Sequence, residues 1–283
     1  MKFLPMAELL GAARAGGYAV PSFCAWNAEV MEIVLRVAQD LRAPVIVMNG
    51  PGEFPLLAPG LMGAVARTVA RRFTVPAALH LDHGDSMDVV KACLEAGYTS
   101  VMLDCSKYAF DENAETLRQV AAMAHPRGVT VEGELGHVGK ADTMTVEGEV
   151  DSTLTEPAEA AAYIERTGVD ALAVSIGNSH GQYTKLPEFD FERLERIRAV
   201  IRVPLVLHGG SGTPEADLKR AIALGVAKVN VATELTVALR GGLIAELGAA
   251  RKRWLPQSLA EATKPLAPVV EKWIRLTGAA GRA

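Results

Sequence analysis

Short apolar runs recur along most of the chain, separated by longer stretches in which apolar and charged positions alternate with a helical period. The runs at 18–23, 44–48, 77–81, 100–103, 129–134, 171–176, 205–207 and 228–231 are rich in β-branched residues and lack strict polar alternation. They read as strands buried on both faces, as in a parallel sheet covered by helices. Segment 27–41 sets Val30, Ile33, Val34 and Val37 on one side and Glu29, Glu32, Arg36 and Asp40 on the other, an amphipathic helix. Thr213-Pro214-Glu215 reads as a cap, a proline at the first helical position and an acidic first turn, opening a helix over 216–224. Thr155-Glu156-Pro157 opens another in the same way, and Gly168 can close it in the left-handed conformation. From residue 243 onward the tail is helical with interruptions at Pro256, Pro265 and Pro268, and packs outside the strands or against another subunit. Eight strand and helix units without a Ser/Gly linker favour a closed (β/α)8 barrel with additional N- and C-terminal helices, one domain over 1–283. A two-domain α/β chain is the alternative.

Length does not choose between them, since 283 residues suit one barrel of about 250 residues or two smaller domains. Twenty-nine Lys plus Arg against 33 Asp plus Glu give a net charge of −4 with no like-charge block, which argues against a nucleic-acid surface. A local anion site stays open, because backbone N–H groups can cradle phosphate. Cys24, Cys93 and Cys105 are an odd number without paired spacing, a reducing-compartment pattern. Glu8 and Arg14 interrupt what a signal peptide would need as an apolar core, and no run is long enough for a bilayer. A cytoplasmic protein without membrane or nucleic-acid partners is expected.

The polar residues with chemical use cluster just after the apolar runs: His80-Leu81-Asp82-His83, Leu103-Asp104, Glu132-Gly133-Glu134, Gly177-Asn178-Ser179-His180-Gly181 and His208-Gly209-Gly210-Ser211-Gly212. In a barrel these ends share one mouth. His83, His180 and His208 are then candidate metal ligands, since imidazole suits Zn2+ and three protein ligands leave a position for substrate. Any one of them alone reads better as a hydrogen-bonded core or surface histidine; it is the three together, at successive strand ends, that point to metal. Asp82 either reaches the pocket or holds a histidine tautomer, and Asp104 and Glu134 are supporting carboxylates or secondary metal ligands. The Gly209–Gly212 run before a helix start, with Asn230-Val231-Ala232-Thr233 from the next unit, implies a small phosphorylated substrate.

Several long motifs occur in fixed order: Gly17-Tyr18-Ala19-Val20-Pro21, Leu79-His80-Leu81-Asp82-His83, Glu132-Gly133-Glu134-Leu135-Gly136, Ala173-Val174-Ser175-Ile176-Gly177, Val206-Leu207-His208-Gly209-Gly210-Ser211-Gly212 and Lys228-Val229-Asn230-Val231-Ala232-Thr233-Glu234-Leu235. In these the chain resembles the class II, zinc-dependent ketose-bisphosphate aldolases, especially the fructose-1,6-bisphosphate and tagatose-1,6-bisphosphate branch. The resemblance implies a TIM barrel with one catalytic Zn2+ on His83, His180 and His208, and Asp82 as the proton-transferring aspartate. It also implies a phosphate and ketose grip from Gly181, Gly209, Gly210, Ser211, Asn230, Val231, Ala232 and Thr233. A monovalent cation, Na+ or K+, near the phosphate and a homodimer or homotetramer are further family traits. The implied reaction is reversible cleavage of fructose or tagatose bisphosphate to dihydroxyacetone phosphate and an aldehyde such as glyceraldehyde 3-phosphate.

Five departures qualify the likeness. Asp142 aligns with the family's loop glutamate but is one methylene shorter, Lys140 replaces a glycine, and Glu147 or Glu149 could share the task. Cys24 stands where the family has an asparagine, Gly50 where it has Ser or Thr, and Lys107 where it often has His. Ordinary aldol chemistry with an altered aldehyde half is the alternative these last three raise.

Overall fold

In the computed structural model, which describes residues 2–139, 152–181, 186–249 and 253–283, the apolar runs become eight parallel strands. They are β1 (Val20–Cys24), β2 (Val45–Asn49), β3 (Ala77–Gly84), β4 (Ser100–Leu103), β5 (Thr130–Leu135), β6 (Ala171–Val174), β7 (Leu205–Leu207) and β8 (Val226–Val231). Each pairs with its neighbours in chain order, and β8 closes on β1 through Val20↔Lys228 and Phe23↔Val231, so the eight units form one barrel rather than two sheets. The strands are almost wholly buried because side chains fill the inside and helices cover the outside.

The helices are α1 (Met6–Gly16), α2 (Ala28–Asp40), α3 (Pro59–Ala70), α4 (Met87–Glu95), α5 (Phe110–Ala124), α6 (Pro157–Thr167), α7 (Phe191–Val200), α8 (Glu215–Ala223), α9 (Thr233–Gly248), α10 (Leu255–Ala262) and α11 (Leu266–Leu276). In α2 the Asn27 side chain accepts the Val30 N–H, and Val30, Val34 and Val37 go into the core as the periodicity predicts. The extra N-terminal helix α1 sits across the strand starts: Leu4 N–H donates to Ala77 O and Ala7 N–H to Thr130 Oγ1. That closes the lower end of the barrel and leaves the C-terminal strand ends open. At the C-terminus α11 packs on α2, α9 and β1, burying Leu266, Val270, Trp273 and Ile274.

Two caps differ from expectation. Thr155 is not the cap of α6; Glu156 is, while the Thr155 hydroxyl donates to Leu135 O and accepts from Ser175 N–H, so the threonine ties β5 to β6. Pro214, not Thr213, caps α8, because Thr213 N–H closes a turn on Gly210 O and its hydroxyl is buried beside the glycine-rich loop. The C-terminal helical region also begins earlier, at Thr233, and Pro256 and Pro265 start helices instead of breaking one. Proline suits a first turn, where its missing N–H has no partner to lose.

Candidate metal centre and substrate pocket

The centre begins with an irregularity in β3. Successive strand side chains normally point to opposite faces, so Asp82 and His83 could not both face the mouth of a regular strand. The β3–β4 register shifts between Leu81 and Gly84, and His83 takes a left-handed φ of 45°. The bulge re-aims both side chains into the pocket.

The second ligand loop follows β6. Asn178 braces it: its Oδ1 accepts the Ile176 N–H, and its Nδ2 donates to His208 O at 3.0 Å. His180 N–H is pinned to Gly139 O at 2.8 Å. The loop then runs so close to β7 that a Cβ on Gly209 would lie 2.0 Å from Ser179 O, and Gly209 also has φ of 65°. Only glycine meets both conditions.

These constraints bring three imidazoles together. His83 Nε2 lies 3.2 Å from His180 Nε2 and 2.8 Å from His208 Nδ1. A tetrahedral centre with Zn–N bonds of 2.0–2.1 Å sets neighbouring ligand nitrogens about 3.3 Å apart. Each of two rings is held from behind by a carboxylate: Asp104 Oδ2 is 2.9 Å from His83 Nδ1, and Glu132 Oε1 is 2.8 Å from His208 Nε2. Such contacts fix the tautomer and leave the opposite nitrogen free to ligate. Glu134 adds a test of fit. Its Oε1 accepts the Val138 N–H, but its buried Oε2, 3.7 Å from His208 Nδ1, has no hydrogen-bond partner. An orphaned carboxylate oxygen beside three imidazole nitrogens is a donor set suited to a borderline divalent cation. His83, Asp104 and Glu134 form a second candidate metal cluster that shares His83 with the first.

The electrostatics agree. Burial opposes charge on His83, yet the carboxylates of Asp82, Asp104 and Glu134 outweigh it and hold the imidazole at about 10. Burial and the charges of His83 and His208 push His180 down to about 3. Burial and the Asp104 charge push Glu134 up to about 7. For Asp82, burial would raise the carboxyl, but His83, His80 and His208 together keep it well below the ordinary range. The site concentrates carboxylates that histidines, with Lys228 beneath them, compensate, a setting that a dication relieves.

Beneath the centre lies a cluster that the sequence motifs contain but the sequence reading gave no role: Glu132, Lys228 and His80, all wholly buried. Lys228 Nζ lies 2.8 and 3.0 Å from the two oxygens of Glu132 and 3.2 Å from His80 Nε2. The available signal was a charged residue at an inward position of each apolar run. Asn230 Nδ2, two residues beyond Lys228, donates to Asp82 Oδ1 at 2.9 Å and orients that carboxylate.

Some of the residues expected to grip phosphate border a pocket beside this. Gly181, Ser211, Gly212, Thr233 and Glu234 line one pocket of about 350 Å³. Ser211 Oγ accepts the Glu234 N–H at 3.2 Å, which leaves its hydroxyl hydrogen for another acceptor. The Gly210 N–H is engaged with Asn230 O, so this amide serves the loop's own geometry. Asn230, Val231, Ala232 and Thr233 carry β8 into α9, whose start borders the pocket. Cys24 ends β1, Gly50 follows β2, and Lys107 lies exposed in the turn after β4. Asp142, Lys140, Glu147 and Glu149 lie outside the described residues.

The model of the family Fructose-bisphosphate aldolase class-II matches residues 4–282. The chain belongs to that family. Among solved structures it is similar to the YdjI aldolase from Escherichia coli K12, at 33% identity over 99% of each chain and a TM-score of 0.87. A candidate fructose-1,6-bisphosphate aldolase from Coccidioides immitis is 29% identical over 97% of this chain and 96% of its own, with a TM-score of 0.86. The fructose-bisphosphate aldolase of Campylobacter jejuni, at 22% identity, 100% and 97% coverage and a TM-score of 0.84, supports the barrel fold. Family membership and the histidine cluster together make this class II aldolase a metal-dependent aldehyde-lyase. No helix among the described residues is long and apolar enough to cross a membrane.

Proposed function

We propose that this class II aldolase is a zinc enzyme that reversibly cleaves a phosphorylated ketose into dihydroxyacetone phosphate and an aldehyde, in one domain over 1–283. The observation that supports the reading most is the meeting of His83, His180 and His208 beside an Asp82 carboxylate oriented by Asn230. His83 Nε2, His180 Nε2 and His208 Nδ1 would hold the metal, with Asp104 and Glu132 behind them and Glu134 as a supporting or secondary ligand. When bound, the zinc ion supplies a Lewis acid that stabilises the negative charge left on the ketone fragment as the carbon–carbon bond breaks.

The protein handles the protons and the anion. Asp82 accepts the proton of the C4 hydroxyl during cleavage and returns it during condensation. Asp142 is the base for the dihydroxyacetone phosphate carbon, with Glu147 and Glu149 as alternates. Ser211 donates its hydroxyl to the phosphate, Gly181 and Thr233 line the same pocket, and Gly209, Gly210, Asn230, Val231 and Ala232 would complete the cradle. A sodium or potassium ion beside the phosphate, a homodimer or homotetramer and a cytoplasmic location complete the reading. Fructose and tagatose bisphosphate share the ketone half assigned here; Cys24, Gly50 and Lys107 border the other half.

The test is condensation of dihydroxyacetone phosphate with a panel of aldehydes, with metal content measured on the same protein. About one zinc per chain is expected, with activity lost on chelation and regained on adding zinc. Full activity in metal-free protein contradicts the proposal.

A further inference from the structure

The mouth carries an acidic wall that the aldol chemistry leaves without a role. β1 and β2 end side by side there. Cys24 pairs with Met48, and Met48 with His80, whose side chain lies in the interior cluster, so all three face inward. Gly50, two residues beyond Met48, continues that face at the mouth. It can carry no side chain, since a Cβ would stand 2.2 Å from Asp82 O. The chain then folds back. Glu53 N–H donates to Gly50 O at 3.0 Å, and Glu53 Oε2 accepts the Gly50 N–H at 2.8 Å, within 4.0 Å of the place a Gly50 Cβ would occupy. A carboxylate therefore stands above the end of β2, beside Gly50.

Its surroundings fix its place and bear on its charge. The buried Cys24 thiol hydrogen-bonds Glu53 from β1. Burial, with the Asp82 charge adding to it, holds the Glu53 carboxyl above the ordinary value. Hydroxyl groups that donate to it there would stabilise its ionised form. A phosphate dianion offers mainly acceptors and adds like charge beside two carboxylates, the arrangement that excludes a wrong partner.

We propose that Glu53, backed by Cys24, forms the subsite for the aldehyde half of the substrate and selects an uncharged polyhydroxy aldehyde over a phosphorylated one. The inference rests on the aldolase reading above and narrows it: the ketose carries one phosphate, on the dihydroxyacetone phosphate half, and is not a bisphosphate.

The experiment is condensation of dihydroxyacetone phosphate with glyceraldehyde and with glyceraldehyde 3-phosphate by the zinc-loaded full chain, for wild type, Glu53→Gln and Glu53→Ser. Proton exchange into dihydroxyacetone phosphate alone is measured on the wild type. The readout is the ratio of the two kcat/KM values, in which any general loss through misfolding cancels. Wild type should favour glyceraldehyde by about tenfold or more, and each variant should shift the ratio toward the phosphorylated aldehyde by about tenfold, since a rejecting charge is removed. A wild-type preference for the phosphorylated aldehyde, or a ratio unmoved in both variants while exchange is intact, overturns the subsite alone. Absent exchange in the wild type overturns the aldolase reading and the subsite with it.

Discussion

Asp82 and His83 are adjacent yet share one pocket, and the left-handed φ at His83 is what makes this possible. A non-glycine residue in that region carries about 1–3 kcal/mol of strain, retained here at the residue that would bind metal. Because Asn230 holds Asp82 while His83 points to the metal position, the two roles should separate by mutation. Asp82→Asn should keep zinc content and folding while slowing cleavage by about 10²–10⁴-fold, the range for a positioned acid or base. Near-native turnover in that variant rules the role out. Ser211→Ala should weaken dihydroxyacetone phosphate by about 0.5–1.5 kcal/mol, read by calorimetric titration. Equal affinity would mean the hydroxyl serves only the Glu234 N–H. These residues were legible as a group because they follow apolar runs. The bulge was not, since nothing in Leu81-Asp82-His83-Gly84 distinguishes a shifted strand from a loop start.

At the level of elements, the strands were the most legible feature, displaced by only a few residues at their ends, because burial on both faces demands predominantly apolar sequence. Caps were less legible. Thr155 and Thr213 have the residue type of a cap, but tertiary partners at β5, β6 and the glycine-rich loop take them instead. The Glu132–Lys228 pair was missed because two opposite charges far apart in sequence become partners only when β5 and β8 are brought into one barrel. Lys228→Met should leave Glu132 buried without its cation and cost about 3–5 kcal/mol, measured by chemical denaturation of metal-free protein. Glu132→Gln should also release His208 from its carboxylate and weaken zinc about 10–100-fold in a chelator competition. Unchanged zinc affinity in Glu132→Gln would show that His208 is oriented by the fold alone.

The whole molecule divides its work by the two ends of the barrel. α1 closes the strand starts, and the strand ends gather histidines, carboxylates and the glycine-rich loops from β3 to β8 at one mouth. Since the ligands come from β3 and from the loops after β6 and β7, metal binding should tie distant parts of the chain together. Zinc at 100 times its dissociation constant should stabilise the fold by about 2.7 kcal/mol, seen as a higher melting temperature that chelation reverses. The central claim is that these histidines form a metal centre that activates dihydroxyacetone phosphate. Its most direct test is exchange of the hydroxymethyl-carbon proton of dihydroxyacetone phosphate for deuterium, followed by NMR without aldehyde. Exchange should be fast and stereospecific with zinc-loaded protein, and absent after chelation and in His208→Ala. Exchange that persists at the wild-type rate in either would contradict the account.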